Sequence, residues 1–127
     1  MWAVATTDDF DEWFTTLNEV EREEIDAKIG LLKLMGPQLK RPHADTLKGS
    51  AYANMKELRA RTAEAVIRVA FAFDPSQAAI LLVGGDKSGI SEKRFYKQLI
   101  VKADKLYWDH LQKIKTRKQK QEKGKGK

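Results

Sequence analysis

The sequence predicts a small α+β domain, an antiparallel sheet packed on two N-terminal helices with a C-terminal helix after it. Three observations point to this. Apolar residues recur at helical spacing over residues 10–35 and again over 95–106, and three strand-like runs joined by short turns lie between them. The chain has 127 residues, 42% of them hydrophobic, which suits one domain with a single core and hardly two cores.

In chain order, a short apolar strand at 2–5 meets "TTDD", where Thr6 or Thr7 can cap a helix and Asp8 and Asp9 suit its positive end. Phe10, Trp13, Phe14 and Leu17 then form one apolar stripe. Asn18 with Glu21 three positions on resembles a capping box, and the helix that follows should bury Ile25, Ile29, Leu32 and Met35. Gly36 and Pro37 stop it. Residues 37–52 carry Pro, His, Asp, Gly and Ser without periodicity and read as a loop. Strands follow at 55–61, 65–73 and 79–83, the last two joined by a "DPSQ" turn, so the three form a meander. "GGDKSGIS" reads as a flexible loop, and Ser91 can cap a last helix with Phe95, Leu99, Ala103 and Leu106 on one face. The folded domain is expected to span 1–114. Beyond it, 115–127 is lysine, glutamine and glycine, a basic tail with too little apolar surface to stay folded.

The net charge of +6 is unevenly spread. Residues 113–127 hold eight Lys or Arg and one Glu, residues 1–30 have two basic and nine acidic groups, and 31–112 have 14 and eight. An acidic end, a basic middle and a basic tail suit a protein with one anion-binding face. Acids that favour helix starts and lysines that cover solvated helices would also produce this pattern. No run approaches the roughly 18 apolar residues of a membrane span, and the N-terminus lacks the layout of a signal peptide. The chain is therefore expected to work in the cytoplasm, away from membranes. There is no cysteine, hence no disulfide or thiolate chemistry.

The stretch "NMKELRARTAEAVIRVAFAF" sets three arginines among sheet residues. Side chains alternate across a strand. Ile67, Val69, Phe71 and Phe73 share a core face, so Arg68 points to the other, and if Leu58 also faces the core, Glu57, Arg59 and Arg61 join Arg68 on an open side. Three guanidinium groups against one acid, beside the small residues Ala70 and Ala72, suit an elongated polyanion such as RNA. Ordinary cross-strand ion pairs with Glu57 would account for the same residues without a ligand. A second basic cluster, Lys87, Lys93, Arg94 and Lys97, surrounds the start of the last helix. Backbone N–H groups there can meet phosphate, and Tyr96 can stack a base or move a proton. A solvated loop with a half-buried Tyr96 is the plainer account. His43 and His110 stand apart without metal-ligand spacing, "GGDKSG" lacks the phosphate-loop pattern, and no nucleophile elbow or paired-carboxylate site is present. No metal or other cofactor is expected.

Taken in order, the elements together with "ELR", "IRVAFAF", "LLVGGDK" and "RFYKQ" resemble the RelE/HigB superfamily of toxins from bacterial toxin–antitoxin modules, HigB-like members above all, over roughly residues 2–112. The resemblance implies a microbial-ribonuclease-like fold that cleaves mRNA in the ribosome without a metal. It also implies a neutralising antitoxin, usually a HigA-like helix-turn-helix protein. By the same resemblance Arg68 faces the scissile phosphate and Arg59 is the arginine of the "LR" pair. Lys87 stands where basic residues follow the last core strand, and Tyr96 is near a proton-transfer position. Where many HigB-like sequences carry a histidine and a double lysine, this one has "GGDKSG", and its segment there is long. Such RNA cleavage needs a base for the 2′-OH, cations for the phosphorane and an acid for the leaving oxygen. The arginines fit the second role. Lys87 or Tyr96, with a pKa lowered by neighbouring cations, or Glu57 as base, fits the proton transfers. The tail would add salt-sensitive attraction to ribosomal RNA. Two other functions remain open: a ParE-like inhibitor of DNA gyrase on the same fold, and a noncatalytic RNA- or ribosome-binding module.

Overall fold

The alternating, β-branched runs become the middle of a five-stranded sheet. In the computed structural model, which describes residues 1–125, β3 (Lys56–Arg61), β4 (Val66–Phe73) and β5 (Ala79–Asp86) form the expected antiparallel meander. Two short strands flank it: β1 (Val4–Thr6) runs parallel to β5, and β2 (Ala44–Thr46) antiparallel to β3, so the order is β1-β5-β4-β3-β2. The β4–β5 turn is tied by Asp74, whose Oδ1 accepts from the backbone N–H of Ser76 at 2.9 Å and of Ala78 at 3.0 Å.

Helix α1 (Asp8–Thr15) is capped by Thr7, whose Oγ1 accepts from the Phe10 N–H at 3.0 Å. Helix α2 (Glu19–Met35) opens with the full capping box: Asn18 Oδ1 accepts from the Glu21 N–H at 2.9 Å and Glu21 Oε1 from the Asn18 N–H at 3.0 Å. The two helices cover one face of the sheet, where Phe10, Leu17, Ile25 and Leu32 pack with Leu58, Ala60, Ile67, Val69, Phe71 and Leu81. Met35 does not join them and is 41% exposed. It sits about 80° around the helix from Ile25, outside the stripe.

The other face is not open. Helix α3 (Glu92–Lys125) lies on it, and Phe95, Leu99, Ala103 and Tyr107 bury Ala70, Ala72, Ile80 and Leu82 in a second apolar cluster. The chain therefore builds two cores on the two faces of one sheet, where composition suggested one. The small side chains at 70 and 72 make room for a helix rather than for a ligand.

Further differences from the sequence reading have local causes. Residues 37–52 contain a 3-10 turn, Gly36–Gln38, and the edge strand β2, whose three residues are too few to show alternation. Gly84 and Gly85 belong to β5 rather than to a flexible loop. Glycine is required at 84 because a Cβ there would overlap the Trp13 indole, and a Cβ at 85 would stand 3.3 Å from the Phe95 ring. Beyond Ile114 the chain stays helical to Lys125. Lysine, arginine and glutamine are good helix formers, and extending an existing helix carries no nucleation cost, so this segment needs no core of its own. Its side chains at 115–121 are exposed. The part of the expected disordered tail at 126–127 lies outside the described residues.

Candidate functional site

Glu57 and Arg59 leave β3 on the face covered by α3, and Arg68 leaves β4 on the same face directly opposite Arg59 in the register. Like charges facing each other across strands repel, so this pair needs an anion. Glu57, one pleat along β3, supplies it. Its Oε1 accepts from Arg59 Nε at 2.7 Å and from the Tyr96 hydroxyl at 3.1 Å. The carboxylate is only 2% exposed, and burial on that scale is tolerable for a charge only when it is paired.

Two atoms in this cluster have no partner. Glu57 Oε2 and Arg68 Nε are both buried and unbonded. Arg68, 8% exposed, gives one long hydrogen bond from Nη1 to the Val66 carbonyl at 3.3 Å. Its guanidinium carbon otherwise lies 5.6 Å from the Phe95 ring centre and 5.4 Å from that of Tyr96, where cation–π attraction holds it.

The missed edge strand adds Asp45, and the turn before it Arg41, two residues that sequence reasoning did not find. Asp45 on β2 accepts from Arg41 Nε at 2.7 Å and stands 3.6 Å from Arg59 Nη2, so an alternating chain of charges runs Arg41, Asp45, Arg59, Glu57. The only available signal was the i,i+4 spacing of Arg41 and Asp45 in "RPHAD", a common surface pattern. A cavity of about 320 Å³ opens over this chain, lined by Arg41, Asp45, Glu57, Arg59, Glu92 and Tyr96 among others.

Electrostatics sharpen the roles. The Glu57 hydrogen bond, more than any other cause, raises the Arg59 pKa above its already high value, so this cation is permanent. Burial, then the charge and hydrogen bond of Glu57, push the Tyr96 phenol up, and Arg68 only partly opposes them. A tyrosine activated by neighbouring cations is therefore not what the site contains. Burial and the acid partner prevail, so the phenol keeps its proton and donates a hydrogen bond to Glu57.

The structure brings together Glu57, Arg59, Arg68 and Tyr96, but not the remaining sequence candidates. Arg61 is exposed at the end of β3, and Lys87 is exposed in the turn after β5. Lys93, Arg94 and Lys97 are exposed on the first turns of α3, whose start is capped by Ser91 Oγ accepting from the Arg94 N–H at 3.2 Å. The picture of three arginines on an open face is corrected accordingly: Arg68 is covered, Arg59 is half-buried and Arg61 stands apart. Neither histidine joins the site. Nδ1 of His43 lies 2.7 Å from Lys28 Nζ, and Nε2 of His110 pairs with buried Asp74 at 2.9 Å, tying α3 to the β4–β5 turn. Among the described residues no group of three His, Asp or Glu side chains is placed to hold a metal ion.

Comparison with known proteins agrees with this architecture. The family described as phage-derived protein Gp49-like matches residues 12–108. A Mycobacterium tuberculosis protein designated toxin HigB3 is 44% identical over 102 residues, 80% of this chain and 87% of that one. Another, designated toxin HigB2, is 37% identical over 114 residues, 89% of this chain but 56% of the longer relative. Among solved structures, the toxin RelE of E. coli, a mutant in the free state, has a TM-score of 0.57 at 13% identity, covering 80% of this chain and 95% of that one. That likeness carries the fold, and the sequence relatives carry the family. The chain therefore belongs to the Gp49-like family, as a HigB-like toxin, and its fold is that of RelE.

Proposed function

We propose that this toxin is an endoribonuclease that cuts mRNA on the ribosome, in the cytoplasm, and that its antitoxin is a HigA-like helix-turn-helix protein. As a HigB-like toxin it has a cognate antitoxin; the antitoxin's fold, the RNA substrate and the ribosome belong to the proposal. Among the described residues no helix is long and apolar enough to cross a membrane, which fits a substrate met in solution.

One observation carries the reading. A buried carboxylate, a raised-pKa phenol and the Arg59 guanidinium line one cavity, Arg68 stands opposite Arg59 across the strands, and two polar atoms of this cluster lack partners. That inventory matches what internal RNA cleavage demands. The ribose 2′-oxygen attacks phosphorus and its proton passes to Glu57, whose Oε2 is the unoccupied acceptor. Charge gathers on the phosphoryl oxygens and is met by Arg59, with Arg68 adding positive potential from beneath Tyr96. The P–O5′ bond breaks and the leaving oxygen takes the Tyr96 proton, leaving a 2′,3′-cyclic phosphate and a 5′-hydroxyl. Tyr96 must exchange its hydrogen bond to Glu57 for one to the substrate, so the entering strand has to part the two side chains. Lys87 has no part in this scheme, because it lies outside the hydrogen-bonded cluster.

The burial of Arg68 favours a second reading, in which the cluster only shapes a noncatalytic RNA-binding surface. Mapping of new RNA 5′ ends minutes after induction, in wild type and Arg68→Ala, separates the two. New ends inside translated frames that vanish in the variant support cleavage. Growth arrest by the wild type without new ends refutes it.

A further inference from the structure

Helix α3 has a solvent face that the proposed site does not use. Arg94, Lys97, Val101, Lys105, Trp108 and Lys115 are all exposed and recur at intervals of three, four or seven, so they form one stripe along the helix. The stripe begins at the Tyr96 end of the helix but on the face turned away from the sheet, about 100–180° around the axis from Tyr96. Trp108, 55% exposed, lies about 18 Å along the helix from Tyr96, and Val101, 65% exposed, lies between them. Trp108 thus presents an exposed indole plane between the cations of Lys105 and Lys115 on the same face.

Beyond Trp108 the helix becomes a cationic rod. Lys113, Lys115, Arg117, Lys118 and Lys120 follow within 12 residues of it and are exposed. The Gp49-like match ends at residue 108, so this rod is a feature of the chain beyond the shared domain. Of the acids flanking the stripe, Asp104 is taken up by the fold, its Oδ2 accepting from the Ala51 N–H at 2.9 Å and its Oδ1 from the Ser50 hydroxyl. Asp109 is half-buried on the other flank. The stripe itself carries no acid.

We propose that this face of α3 is a second RNA contact, a rail for the phosphate backbone of a single strand, with Trp108 as a stacking platform for one unpaired base. The occupant is RNA because the surface offers both things that a flexible nucleic-acid strand needs, spaced cations and an exposed aromatic plane. An acidic protein segment would use the lysines but would have no need of an indole between them. The proposal rests on the ribonuclease reading for its ligand and adds a separate contact for RNA on the side of α3 turned away from the cavity. Its readout is binding rather than cleavage, so the two readings fail separately.

The test uses the full chain and a labelled, mixed-sequence single-stranded RNA of about 15 nucleotides, with affinity measured by anisotropy over a series of KCl concentrations. Trp108→Ala is expected to weaken binding about tenfold and Trp108→Phe much less, since base stacking on an aromatic ring is lost only in the first. Replacing Lys105, Lys115 and Lys118 together by Gln is expected to flatten the slope of log affinity against log salt by about 2, at roughly 0.7 per phosphate released on a single strand. All four positions are exposed, and a thermal melt of each variant verifies the fold. Unchanged affinity in Trp108→Ala overturns the stacking platform. An unchanged salt slope in the triple variant overturns the rail. If both variants bind RNA as the native chain does but lose binding to polyglutamate, the face is a protein-docking surface instead.

Discussion

Replacing Glu57 by Gln tests whether this carboxylate is the anion that lets Arg59 and Arg68 face each other. The amide keeps the shape and one acceptor but removes the charge that pairs with Arg59, next to the place where Arg59 and Arg68 face each other across the strands. Hydrogen bonds to charged groups contribute about 1.5–3 kcal/mol, and breaking a fully buried ion pair costs about 3–5 kcal/mol. The Arg59 side chain is 35% exposed and regains hydration, so the lower end applies, about 2 kcal/mol. Uncompensated repulsion between the two arginines adds about 0.2–1 kcal/mol. The total, about 2–3 kcal/mol, corresponds to a fall in Tm of roughly 10 °C for a domain of this size. Urea unfolding followed by tryptophan fluorescence measures it, in Glu57→Gln, Arg59→Gln and the double variant. The double variant should lose less than the sum of the two single changes, because each single change leaves the other group unpaired. A loss below about 0.5 kcal/mol in Glu57→Gln, with strict additivity in the double variant, would refute the reasoning and reduce the cluster to a surface ion pair.

The remaining predictions concern protons and packing. Burial pushes the Asp74 carboxyl up, but hydrogen bonds from His110, Ser76 and the Ala78 N–H outweigh it and hold the pKa below the usual carboxylate value. A depressed folded pKa contributes stability that is present above about pH 4 and lost as pH falls through the folded value. Asp74→Asn should therefore be less stable at neutral pH by about 1–3 kcal/mol and show a shallower acid limb in melts between pH 2 and 5. Tyr96 has a raised pKa, so its stabilisation is present below the ordinary phenol value of about 10 and is lost as pH rises through the higher folded value. Spectrophotometric titration, native against Tyr96→Phe, should show that the missing phenol is one that ionises above that value, and cleavage in Tyr96→Phe should fall by about 10²–10⁴ if the phenol is the general acid. Gly84→Ala should cost about 1–3 kcal/mol, since Trp13 must leave its place against β5. A melt indistinguishable from native would show that the indole moves freely.

Periodicity in the sequence was enough to determine the three central strands, both N-terminal helices and the start of α3, and the local pattern named the Asn18 cap and narrowed the other to Thr6 or Thr7, because side-chain alternation and helix caps are local properties of the chain. The resemblance in "IRVAFAF" and "LLVGGDK" identified the family for the same reason: neighbouring residues carry it. What local pattern could not reveal was anything decided by contact between distant segments. Parity put Arg68 on the second face of the sheet but could not show that α3 covers that face, since nothing within β4 records what packs above it. The two glycines of "GGDKSG" looked like a flexible loop, and only the positions of Trp13 and Phe95 on either side of β5 explain why that strand needs them. Asp45 joined the site through a three-residue edge strand too short to alternate visibly. The rise in the Tyr96 pKa depends on burial and on Glu57, 39 positions away in the chain. Charge and composition are sums over residues and can be read in one dimension; pairing, burial and pKa are set by neighbours in space, which only the folded chain supplies.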